Sequence, residues 1–77
     1  KLFEMYRSSD ESGVSGTGRV LEGCIFSDGR TIVRWCVDGM PKSTAVYDSF
    51  EAFETIHVIS HPTNGTTYKW LFRDEVQ

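Results

Sequence analysis

The chain reads as a single all-β domain with one short helix, on three observations. Short runs rich in β-branched and aromatic residues recur along the 77 residues, and clusters of Gly, Asp, Asn and Pro separate them. Only one segment repeats its apolar residues at helical spacing. Two architectures fit five short strands with a helical turn before the last: a small SH3-like barrel, or a strongly curled open antiparallel sheet with the helix on one side. One domain, residues 1–77, is expected.

Lys1 to Arg7 carries Leu2, Phe3, Met5 and Tyr6, which suits a first strand paired on at least one edge. The next stretch, Ser8 to Gly18, reads as a long loop. SSDESGVSGTG combines five Ser or Thr with three Gly, a composition with several backbone sites open to positive φ.

Val20 to Phe26 and Thr31 to Val37 then form a hairpin closed by Ser27-Asp28-Gly29, a type I turn ending in a glycine that accepts positive φ. A three-residue loop sets Phe26 opposite Arg30, and hence Ile25 opposite Thr31, Gly23 opposite Val33, Glu22 opposite Arg34 and Leu21 opposite Trp35. A two-residue Asp-Gly loop would instead put a carboxylate against an indole. The first register is preferred because a cross-strand ion pair contributes roughly 0.2–1 kcal/mol. One face is then Leu21, Ile25, Val33, Trp35 and Val37, with Gly23 leaving room for the indole. The reverse face holds Val20, Cys24, Phe26, Ile32 and Cys36 beside the Glu22 and Arg34 pair, and is too apolar to stand wholly in water. A curled part of this chain, or a second copy of it, must cover that face.

Asp38-Gly39-Met40-Pro41 is a turn, and Ser43 to Tyr47 is a fourth strand. Asp48 or Ser49 can cap a helix in which Glu51 supplies a capping-box partner, and Phe50, Phe53, Ile56 and His57 recur on one helical face. Pro62 ends the helix. Thr63-Asn64-Gly65-Thr66 turns the chain into a last strand, Thr67 to Arg73, with Tyr68, Trp70 and Phe72 on one face.

A domain this small buries only about 60% of its unfolded surface, so self-association would add stability that its own core cannot supply. Disulfides do not fill the role. Cys24 and Cys36 fall four positions out of register, roughly 13 Å apart, where a bridge requires Cα atoms within about 7 Å. Both read as reduced thiols of a cytoplasmic protein. No apolar run of about 20 residues and no signal or transit pattern occurs, so no membrane association is expected. A net charge of -3 and eight scattered basic residues argue against general nucleic-acid binding.

The segments SGVSGTGRVLEG, FSDG, VRW and STAVYDSFEAFETIH, taken together, resemble a family of small proteins from bacteria, archaea and their viruses. The resemblance covers Ser12 to His57 and implies a prokaryotic or phage origin; it implies no particular activity.

Candidate chemistry is sparse. His57 and His61 are four apart, but Pro62 holds residue 61 toward an extended conformation and no Cys or acidic partner has ligand spacing, so no metal or cofactor is expected. A Cys24 or Cys36 nucleophile with His57 as base is disfavoured because mid-strand apolar surroundings raise a thiol pKa, and catalysis is not expected. Trp35, Tyr47, Tyr68 and Trp70 suit core packing better than a stacking platform.

Two function classes remain. One is a non-catalytic interaction module that works as a homo-oligomer through Val20, Cys24, Phe26, Ile32 and Cys36, binding a protein partner and, in a phage, inhibiting a host defence component. The other is a binder of a small anionic ligand such as a nucleotide signal, using Ser12, Ser15, Gly16, Thr17, Gly18, Arg19 and Arg34.

Overall fold

A computed structural model describes residues 1–9 and 17–71. Five antiparallel strands form one sheet: β1 (Leu2–Arg7), β2 (Gly18–Ile25), β3 (Thr31–Trp35), β4 (Ser43–Tyr47) and β5 (Thr66–Leu71). Their spatial order is β4-β3-β2-β1-β5, so β4 and β5 are opposite edges and the sheet does not close. The open antiparallel sheet with its helix on one side is therefore the architecture adopted, rather than a barrel.

The expected hairpin is the centre of this sheet, and its register is the one argued from charge pairing. Leu21 faces Trp35, Glu22 faces Arg34, Gly23 faces Val33 and Ile25 faces Thr31. Phe26 N–H donates to the Arg30 carbonyl at 2.8 Å, and Gly29 N–H donates back to Phe26 at 2.9 Å with Gly29 at φ +93°. Asp28 Oδ1 accepts from Arg30 N–H at 3.0 Å, which fixes the loop.

After β4 the chain crosses the inner sheet face to reach the far edge. Ser49 caps helix α1 (Phe50–Glu54), its Oγ accepting from Ala52 N–H at 3.0 Å; this hydroxyl, not the Asp48 carboxylate, fills the role. A π-helical turn, Thr55–Ile59, and a 3-10 turn, Pro62–Asn64, complete the crossing. The crossing is driven by aromatic burial. Phe53 is fully buried, and Phe3 meets the Phe50, Phe53, Tyr68 and Trp70 rings with centroids 5.4–6.3 Å away. Phe3, Met5, Val20, Leu21, Val33 and Phe53 make the core.

Two expectations are corrected here. Val20, assigned to the reverse face, is fully buried in the core. The register between β1 and β2 slips at Met5/Tyr6, pairing Met5 with Leu21 but Tyr6 with Arg19, so Val20 is the extra residue of a bulge and turns inward. The space at Gly23 receives the Phe3 ring rather than the Trp35 indole, because Gly23 faces Phe3 across β1.

Candidate functional site

The Ser/Gly-rich loop leaves the sheet at the end of β1 and returns at the start of β2, and the described part of this end is where polar chemistry gathers. Ser8 and Ser9 N–H both donate to the buried Asn64 carbonyl, at 3.0 and 3.1 Å, and Ser9 Oγ donates to the Thr63 carbonyl. The departing strand is thereby tied to the 3-10 turn. On the returning side, Gly18 adopts φ +76° and pairs with Arg7. Thr17, Gly18 and Arg19 line a cleft of about 380 Å³ with Cys36, Val37 and Asp38, a volume near the lower end of small-molecule sites.

The Arg19 guanidinium is already engaged. It bridges Glu4 Oε2 at 3.2 Å and Glu22 Oε2 at 3.0 Å on the outer sheet face. The Glu4 hydrogen bond pushes the Arg19 pKa up, and the Tyr6 hydroxyl at 2.9 Å together with Arg19 holds the Glu4 carboxyl below its ordinary range. An anion entering the cleft meets a cation shared with two carboxylates, and Asp38 on the facing wall.

A second cation lies on the inner face of the same strand end. Arg7 is only 4% exposed, and its guanidinium carbon sits 5.5 Å from the centre of the Trp35 ring while a terminal N–H donates to the His57 carbonyl at 3.1 Å. Burying a guanidinium costs several kcal/mol before compensation, so stacking and hydrogen bonding are needed to keep it there. The His57 ring lies 5.0 Å from Trp35, and its Nε2 is 2.7 Å from the Tyr47 hydroxyl. Burial, then the charges of Arg7 and His61, pushes His57 below its ordinary pKa; burial likewise raises Tyr47. The imidazole is therefore held neutral, a packing histidine with a polar anchor.

The expected ligand residues are thus only partly assembled. Thr17, Gly18 and Arg19 share the cleft, whereas Ser12, Ser15 and Gly16 lie outside the described residues. Arg34 is not brought there: it stands on β3, its Nη1 donating to Thr44 Oγ1 at 3.0 Å. Sequence reasoning missed Arg7, because a buried arginine at a strand end looks like an ordinary exposed one until the helix that covers it is placed. Cys36 lines the outer cleft while His57 packs on the inner face, so the sheet separates thiol from imidazole. Both cysteines are free. Among the described residues no group of three or more His, Cys, Asp or Glu is arranged to hold a metal ion, and no helix is long and apolar enough to cross a membrane.

No curated protein and no solved structure gives a significant match to the chain. A family model does match, over residues 1–72, and its description is Acb5 phage protein. With nearly the whole chain covered, this small β protein belongs to the Acb5 phage protein family.

Proposed function

We propose that this phage protein binds a small anionic ligand of the nucleotide kind at the loop-end cleft, and so withholds it from a host defence component. The observation that carries the reading is convergence at one end of the sheet. Thr17, Gly18 and Arg19 share a cleft there, and the buried Arg7 guanidinium lies on the opposite face of the same strand pair. A phosphate in the cleft would accept from the Thr17 hydroxyl, a backbone N–H and the guanidinium, and such charge-assisted bonds are roughly twice as strong as neutral ones. Membership of a phage family supports the setting in which withholding a signal would be useful.

Calorimetric titration with a panel of nucleotides and cyclic dinucleotides tests it. At least one is expected to bind, Arg19→Ala is expected to abolish the heat, and the melting temperature of that variant should stay near the parent's because an exposed strand-start arginine contributes little to stability. Glu4→Gln removes one of the two carboxylates competing for Arg19, so it should tighten binding several-fold. Ligand recovered from the complex should be chemically unchanged; a converted ligand would replace binding with turnover, and no heat from any member of the panel would remove the reading.

A further inference from the structure

We propose that the outer face of the sheet is the contact surface for a second copy of this chain, with the two-fold axis running parallel to the strands between β2 and β3. Among the described residues the helix and turns cover the inner face only. On the outer face the strand registers line up one residue from every strand: Leu71, Leu2, Cys24, Ile32 and Val46 follow one another from β5 to β4. That is a continuous apolar row across the whole sheet, with Val46 60% exposed and, just beyond the end of β2, Phe26 47% exposed. An antiparallel sheet with one solvated face normally carries polar residues there.

The neighbouring row selects the occupant and its orientation. From β5 to β4 it reads Lys69, Glu4, Glu22, Arg34 and Thr44, which is positive, negative, negative, positive, neutral, with the Arg19 guanidinium bridging the two carboxylates from one side. Sheets packed face to face keep their strand directions within about 30°, so a two-fold axis parallel to the strands maps this row onto its own reverse. With the axis between β2 and β3, Glu22 stands over the partner's Arg34 and Arg34 over the partner's Glu22. In the apolar row, Cys24 then meets the partner's Ile32 and Leu2 meets the partner's Val46. An axis between β1 and β2 would set Glu4 against the partner's Glu22, and one along β2 would set Glu22 against itself. An axis along β1 or β3 sets Glu4 or Arg34 against its own copy and leaves two of the five strands without a facing strand, and axes nearer an edge leave three or more. The pairs beside the chosen axis are also those least displaced by sheet twist. Charge and apolar rows therefore agree on one arrangement, and it meets the ligand cleft only through the bridge from Arg19 to Glu4 and Glu22.

Sedimentation of the full chain at tens of micromolar should give twice the chain mass of 8.7 kDa. Glu22→Arg and Arg34→Glu each create two symmetry-related like-charge contacts and should each weaken the dimer by about tenfold per contact, with circular dichroism like the parent's. Mixing the two monomeric variants restores opposite charges across the axis and should restore the dimer in trans, which the Glu22–Arg34 pairing within one sheet has no means to do. Should either variant fail to fold, Val46→Lys at its exposed edge position reads the same contact and should also be monomeric. A monomeric parent, a parent that associates only with a different protein, a dimer untouched by these substitutions, or folded variants that stay apart when mixed would each overturn the proposal.

Discussion

Gly23 has no room for a side chain, because a Cβ built there falls against the edge of the Phe3 ring. Phe3 in turn is the ring on which four other aromatics converge, so it has little freedom to retreat. Gly23→Ala is expected to cost about 1–3 kcal/mol, the range for forcing a methyl group into a packed core. Denaturant unfolding checks it, and an unchanged midpoint would mean that the Phe3 ring shifts freely. The need for a small residue at this position was legible in the sequence; the ring that fills the space was not. Glu22 and Arg34 face each other as the register required, yet Glu22 bonds Arg19 and Arg34 bonds Thr44. The three-residue loop rather than an ion pair therefore holds the hairpin in register, whereas contact with Phe3 depends on how a strand sixteen or more residues upstream docks. Arg19 shows the same limit. Its place at the start of β2 was readable, while its capture by Glu4 and Glu22 depends on the pairing of β1 with β2.

At the scale of elements, the helix was expected from its aromatic spacing and its cap, and α1 forms over Phe50–Glu54. The continuation as a π-helical turn was not expected, since nothing in TIHVIS marks a change of helical pitch. Within the crossing, His57 stacks on Phe53 at 5.4 Å and reaches Tyr47, so it joins helix to sheet. Burial lowers its pKa, and the sign follows from linkage. In the unfolded chain His57 takes up a proton as pH falls below about 6.5, while in the folded chain it resists until a lower pH, so the unfolded state binds more protons in that window. Stability is full above about pH 6.5 and is lost as pH falls toward the folded value. Thermal melts of the parent should drop between about pH 6.5 and 5, and His57→Gln should flatten that drop. A parent whose melting temperature is level across the window would contradict the burial argument. The bulge at Val20 belongs at this scale too. A run of alternating residues gives no sign that one of them is doubled into the core, so the sequence placed Val20 on the wrong face.

For the whole molecule, the strand count, the short helix and the central hairpin were all legible, because each rests on local periodicity and turn chemistry. Closure was not. Whether five strands curl into a barrel or stay open depends on where the last strand docks, and β5 adds to β1 because the α1 aromatics carry the chain across the inner face to that edge. This crossing leaves the loop-bearing end of β1 and β2 open, with Thr17, Gly18 and Arg19 at a cleft and Arg7 packed behind it. Ligand binding at that end is the central claim. Its most direct test is amide chemical-shift mapping of the isotope-labelled chain titrated with a cyclic dinucleotide. Saturable shifts concentrated at Thr17, Gly18, Arg19, Cys36 and Asp38 are the expected result. No shifts, or shifts confined to the outer row around Cys24, Ile32 and Val46, would contradict it.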